Sequence, residues 1–230
     1  MVGSHGIPAV SSCSGGENQS TLTDSLREQM VRQQIADRGI QDPAVLRAMR
    51  TVPRHLFVPP EEASRAYEDC PLPIGYDQTI SQPYIVAFMT ELLHPGKGQK
   101  ILEIGTGSGY QAAVLAEIVD TVFTIEIVGP LATEAEARLR SLRYGNVVVR
   151  HGDGYVGWQE HAPFDGIVVT AAAEEIPQPL IDQLKEGGRM VIPKGEAWTI
   201  QVLTLVEKRN GRISMRDIAP VRFVPLTREK

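Results

Sequence analysis

Cysteine is scarce: Cys13 and Cys70 are the two in 230 residues, too few for a disulfide framework and without metal-ligand spacing, so a reducing compartment fits best. No apolar run reaches the roughly 20 residues that cross a bilayer. Met1 to Ser20 lacks a basic stretch followed by an apolar core, so no secretory signal is read there and the expected location is cytoplasmic, away from membranes. Positive charge is not in surplus either. Lys and Arg total 23 against 28 Asp and Glu, and the net charge of −5 argues against a nucleic-acid partner. The five histidines, His5, His55, His94, His151 and His161, show no metal spacing, so no metal is expected. Aromatics make up 6%, and Trp158 and Trp198 are read as packing residues. Hydrophobic residues make up 42% and charged residues 22%, ordinary for a globular chain with one well-buried α/β domain, read as a monomer.

Residues 1–22 are rich in Gly, Ser, Asn and Gln without periodicity, and are expected to be a disordered extension. Residues 23–230 are read as a single domain. Its first part, 23–98, reads as helical and irregular. Thr23 or Asp24 can cap a helix that Gly39 ends. Asp42-Pro43 opens a second helix, closely spaced prolines break the chain from Pro53 to Pro73, and Pro83 starts another helix. From residue 99 short β-branched runs alternate with helical patterns. Strands are expected at Lys100–Ile104, Thr121–Ile125, Val147–Arg150, Gly166–Thr170 and Arg189–Ile192. That alternation predicts an α/β fold with a doubly wound, mostly parallel sheet. Asn210-Gly211 between two apolar runs predicts an antiparallel hairpin at the end.

The strongest local signal is Ile101-Leu102-Glu103-Ile104-Gly105-Thr106-Gly107-Ser108-Gly109-Tyr110, where a strand turns into a helix. Glycine there lets backbone pass close to a ligand. Glu126 ends the next strand, where a carboxylate can accept from both hydroxyls of a ribose. Asp153-Gly154 follows the third strand and can face an adenine edge, although a plain Asp-Gly turn would place the same residues there. Ligands of open α/β sheets bind at that edge. A dinucleotide fingerprint would place its third glycine where Tyr110 stands, and no Gly-Lys-Ser/Thr loop is present to cradle phosphate. Glu103 suits a cationic ligand, or else caps the loop amides. S-adenosyl-L-methionine carries a sulfonium and an ammonium group, so acidic residues near the loop favour it by charge attraction.

The string Leu102 to Gln111 is similar to the cofactor loop of protein-L-isoaspartate O-methyltransferases. Leu72-Pro73-Ile74-Gly75-Tyr76-Asp77-Gln78-Thr79-Ile80-Ser81-Gln82-Pro83-Tyr84 resembles that family's own signature. Further matches include His151 to Gly154, Pro163-Phe164-Asp165 and Arg222-Phe223-Val224-Pro225-Leu226, and the likeness covers about residues 24–228. The resemblance implies a Rossmann-like fold of the S-adenosylmethionine-dependent methyltransferase type. It implies methyl transfer to the free α-carboxylate of L-isoaspartyl residues, with D-aspartyl residues left open as a second substrate, starting repair of damaged proteins through a succinimide. S-adenosyl-L-homocysteine would be the product, and peptides and proteins with isoaspartyl residues the partners. Cofactor contacts are implied for Gln78, Thr79, Ile80, Glu103, Gly105, Thr106, Gly107, Glu126, Ile127, Asp153 and Gly154. Substrate contacts are implied for Ile80, Ser81 and Thr227, with Ser81 the catalytic residue. Some members carry a histidine where this chain has Val86, so that role does not carry over.

A carboxylate is already ionised at neutral pH and needs no general base, which agrees with the lack of a Ser/His/Asp set. Positioning and desolvation are then the enzyme's work, and the Ser81 hydroxyl could hold the carboxylate without over-stabilising it. Ser81 could instead only cap the helix that starts at Pro83. Three other functions remain open on the sequence: a methyltransferase of this fold with another substrate, a nucleotide-dependent oxidoreductase, and a non-catalytic nucleoside-binding module. The glycine spacing weighs against the second, and the Gln78–Ser81 stretch against the third.

Overall fold

The computed structural model describes residues 15–228, and of residues 15–20 the backbone alone. Helix α1 spans Gly15–Gln29, so it begins inside the 1–22 stretch expected to be disordered rather than at Thr23. Once a helix is nucleated, each added residue gains a hydrogen bond for one residue fixed, so it can propagate backwards into polar sequence. The remainder of that stretch, 1–14, lies outside the described residues. A π-helical turn, Met30–Ile35, buries Met30, Val31 and Ile35, and a 3₁₀ turn then ends at Gly39 in the left-handed region. The Asp42 carboxylate accepts from the backbone N–H groups of Ala44 and Val45 at 2.7 and 3.3 Å, and α2 (Pro43–Thr51) follows with Pro43 in its first turn.

The proline-broken region contains an element that the sequence reading missed. β1 (Leu72–Gly75) and β2 (Gln78–Ile80) form an antiparallel hairpin in which Leu72 faces Ile80 and Pro73 faces Thr79. Tyr76 and Asp77 both have positive φ, the geometry of a tight hairpin turn. The next helix, α3, spans Pro83–Leu93.

From residue 100 the alternation holds: β3 (Lys100–Ile104), α4 (Tyr110–Ala116), β4 (Thr121–Glu126), α5 (Gly129–Ser141), β5 (Val147–His151), β6 (Phe164–Val169), α6 (Gln178–Gln183), β7 (Leu184–Lys194), β8 (Gln201–Arg209) and β9 (Arg212–Val221). Strand β7 is longer than expected, because Gly187-Gly188 sits within a strand whose pairing with β6 shifts register instead of ending it. The sheet order is β5-β4-β3-β6-β7-β8-β9, parallel through β7 and antiparallel beyond it. Asn210 and Gly211 both have positive φ in the β8–β9 turn, as the Asn-Gly signal requires.

Both faces of the parallel strands are covered. Ile101 packs in one apolar cluster with α3, α4 and the N-terminal helices, while Leu102 and Ile104 join a second around Phe164, Leu180 and Trp158, as alternate strand residues must. The N-terminal part is continuous with the first cluster: the Phe57 ring meets Tyr110 edge-on at 5.5 Å, and buried Arg54 lies 4.8 Å from the Tyr110 ring centroid. After β3 the chain moves outward through β4 and β5 and then returns to β6 on the other side. That reversal leaves a crevice at the C-terminal ends of β3, β4 and β6, the usual ligand position of such sheets.

Candidate active site

The loop from Gly105 to Gly109 borders this crevice. Gly105, Gly107 and Gly109 all have positive φ. At Gly105 the need for glycine is doubled, because a Cβ would collide with the Thr170 hydroxyl. Gly105 N–H donates to the Ile125 carbonyl at 2.8 Å, which ties the loop to the end of β4. Glu126 ends that strand, 5% exposed, and its two carboxylate oxygens accept from the N–H groups of Gly107 and Val128 at 2.7 and 2.9 Å. Each oxygen keeps a further lone pair for a ligand.

Two acidic residues stand differently from what their spacing implied. Asp153 takes the plain turn that its Asp-Gly pair also allowed: Gly154 borders the crevice, while the Asp153 carboxylate accepts from the Tyr155 N–H at 2.8 Å and pairs with Arg228 at 3.3 Å, so it caps the turn after β5 and anchors the C-terminal segment. Glu103 is fully buried under the loop. It caps no loop amide, and Thr124 donates to it at 2.6 Å while its other oxygen has no partner among the described residues. Burial, with nearby Glu126 adding to it against the Thr124 bond, pushes its carboxyl up to about 8. Thr106 and Thr124 share a 2.6 Å hydrogen bond, so loop and buried carboxyl are linked through two hydroxyls.

Three cavities converge here. The largest, about 470 Å³, is walled by Pro71, Ile85, Val221 and Phe223 and reached by Ser81. A narrow cleft of about 60 Å³ is bounded by Gln78, Gly105, Gly107, Glu126, Ile127 and Gly154, and the C-terminal residues Pro225, Leu226 and Thr227 lie across it. A third, about 40 Å³, lies between Ile80, Ser81, Thr106 and Tyr110. Thr79 and Thr170 border all three, so they mark the junction. Thr170 was not singled out in the sequence. Its hydroxyl donates towards the carbonyls of Ile104 and Gly105 at 3.0 and 2.6 Å, and a polar residue closing the β6 strand was the available signal.

Ser81 does not cap α3: the N-cap is Gln82, which makes no side-chain cap bond, and the Ser81 hydroxyl makes no hydrogen bond among the described residues. His151 faces the Ile127 carbonyl at 3.1 Å. Trp158 is buried, but Trp198, also read as a packing residue, is 78% exposed. Among the described residues no group of three or more His, Cys, Asp or Glu is placed to hold a metal ion, and no helix is long and apolar enough to cross a membrane.

The sequence is similar to a protein-L-isoaspartate O-methyltransferase of Opitutus terrae, 59% identical over 204 residues that cover 89% of this chain and 88% of the relative. One from Gloeobacter violaceus is 58% identical over 87% of this chain and 98% of its own. Among solved structures, a protein-L-isoaspartate O-methyltransferase superposes with a TM-score of 0.79 at 31% identity, over 86% of this chain and 65% of that one. A Plasmodium falciparum protein described as a putative protein-L-isoaspartate O-methyltransferase, solved with S-adenosyl-L-homocysteine, gives 0.76 at 28% identity, over 88% and 99%. The profile of one family matches residues 25–230, which include the glycine loop, the β1–β2 hairpin and the C-terminal segment across the cleft: this chain belongs to the protein-L-isoaspartate(D-aspartate) O-methyltransferase family.

Proposed function

We propose that this chain transfers a methyl group from S-adenosyl-L-methionine to the free α-carboxylate of an L-isoaspartyl residue in a peptide or protein, leaving S-adenosyl-L-homocysteine and a methyl ester from which the following backbone amide nitrogen displaces methanol to close a succinimide. The observation that carries the reading is the junction at Thr79 and Thr170, where a glycine-lined cleft beside Glu126 opens into a larger cavity reached by Ser81.

The cleft suits the cofactor in donor chemistry. Glu126 has acceptor capacity for ribose hydroxyls, and glycine backbone gives close approach. Gln78, Thr79, Gly105, Gly107, Ile127 and Gly154 would line the nucleoside, and Glu103, buried and protonated at neutral pH, would support the loop from beneath through Thr124 and Thr106 rather than touch the cofactor. When bound, S-adenosyl-L-methionine supplies an electrophilic methyl group on a positively charged sulfur.

The protein's part is to place an anion. The isoaspartyl carboxylate is ionised at neutral pH, so no residue need remove a proton. Ser81, its hydroxyl uncommitted, donates one hydrogen bond that orients the attacking oxygen. The apolar walls from Pro71, Ile85, Val221 and Phe223 strip water from that oxygen, and desolvation with orientation is worth roughly 7–11 kcal/mol in well-arranged systems. Arg222, exposed on the same wall, draws the anion from a distance. The test is incubation with labelled S-adenosyl-L-methionine and an isoaspartyl peptide beside its aspartyl twin. Label is expected in the isoaspartyl peptide alone, and equal labelling of both would overturn the substrate assignment.

A further inference from the structure

The exposed apolar surface is unevenly spread. Trp198, Ile200 and Val202 are 78%, 60% and 36% exposed, three large apolar side chains within five residues of the loop between β7 and β8 and the start of β8. Such clusters at a surface mark contact sites more often than single exposed residues do. Trp198 also has φ 63°, a left-handed conformation that a bulky residue rarely adopts and that the surroundings must hold.

The surroundings do hold it. The Glu196 carbonyl accepts from the Thr199 hydroxyl at 2.9 Å and the Gln201 side-chain amide at 3.2 Å. Gln201 is 1% exposed, and its amide oxygen accepts from the Phe223 N–H at 2.9 Å. The buried amide therefore staples the Trp198 loop to a segment that walls the large cavity. Ile200 itself lines that cavity, so the exposed apolar surface is continuous with its interior.

We propose that Trp198 and Ile200 form a shelf at the mouth of the large cavity that binds an apolar or aromatic side chain flanking the isoaspartyl residue, making the loop a determinant of which damaged sites are methylated first. This rests on the reading of that cavity as the place of the isoaspartyl residue. The flanking chain of a substrate must leave the cavity at its mouth, where the indole offers a flat, slightly amphipathic surface. The occupant is thus a stretch of substrate with an apolar neighbour, rather than a second subunit or a separate protein.

The test uses isoaspartyl peptides that differ only in having Phe or Gly at the positions flanking the isoaspartyl residue. The wild type should show kcat/KM about tenfold higher for the Phe peptides, carried by KM, the scale on which an apolar pocket discriminates. Trp198→Asn keeps a residue that tolerates the left-handed backbone and should bring the Phe-to-Gly ratio close to one. S-adenosyl-L-homocysteine binding, read by calorimetry, reports that the variant is folded. A Phe-to-Gly ratio near one in the wild type, or an unchanged preference in the variant, overturns the shelf while leaving the cavity assignment standing. Methylation of none of the isoaspartyl peptides overturns the cavity assignment and the shelf with it.

Discussion

At the scale of single residues, Ser81 separates two roles that predict different losses. A serine cap is worth about 1 kcal/mol of stability. No cap bond is made here, so Ser81→Ala should leave the unfolding midpoint nearly unchanged. If the hydroxyl orients the carboxylate, the same change lowers kcat/KM for an isoaspartyl peptide by about 10²-fold, with cofactor affinity unchanged. A loss of stability with intact turnover would return Ser81 to a structural role. Glu103 gives a second prediction. Its carboxyl is held near 8 against an ordinary 4.5, so between those values the folded chain keeps a proton that the unfolded chain releases. Stability should therefore fall as pH rises through that window, by up to about 1.4 kcal/mol per pH unit, and level off above it. Glu103→Gln removes the titrating group and should flatten that part of the profile, as measured by urea unfolding across the window. An identical slope in the variant would assign the pH dependence elsewhere. The spacing of Glu103, Glu126 and Asp153 was legible because strand ends recur predictably. Which way each carboxylate turns was not, since that depends on Thr124 across the sheet and on Arg228 far along the chain.

At the scale of elements, the βα alternation could be read because buried parallel strands leave short β-branched runs. The β1–β2 hairpin could not. Pro71 and Pro73 mask its alternation, and its turn uses Tyr76-Asp77 rather than an Asn-Gly pair. The hairpin nevertheless delivers Gln78, Thr79 and Ile80 to the crevice, so a stretch recognisable by resemblance had no readable local shape. The C-terminal segment is the other element set by distant contacts. Leu226 N–H donates to the Ala172 carbonyl at 2.7 Å, and Arg228 pairs with Asp153 and lies over the Tyr155 ring at 4.3 Å. These contacts hold the strap that narrows the cleft proposed for the cofactor. An exposed ion pair of this kind contributes at most about 1 kcal/mol, so it is easily released. Arg228→Gln should speed cofactor association a few-fold in stopped-flow binding while leaving the global unfolding midpoint in place. An unchanged association rate would mean that the strap is not what limits entry.

For the whole molecule, the apolar cluster that joins the N-terminal helices to the sheet makes the signature hairpin and the glycine loop parts of one packed body. The sequence was read as one domain over 23–230, but the contacts that join its helical segment, 23–98, to the α/β core were not visible in it. The reason is that Arg54 and Tyr110 show their mutual burial only once the chain is folded. The arrangement of the cavities has a kinetic consequence. The narrow cleft proposed for the nucleoside lies under the C-terminal strap, whereas the large cavity opens beside the β7–β8 loop, and the two meet at the junction of Thr79 and Thr170. An enzyme with two doors need not empty both rooms in order. A methylated peptide can leave while spent cofactor stays behind, and a fresh peptide can enter against it. S-adenosyl-L-homocysteine should therefore inhibit competitively with S-adenosyl-L-methionine and non-competitively with peptide in steady-state assays. Competition with both would mean that the two doors open as one.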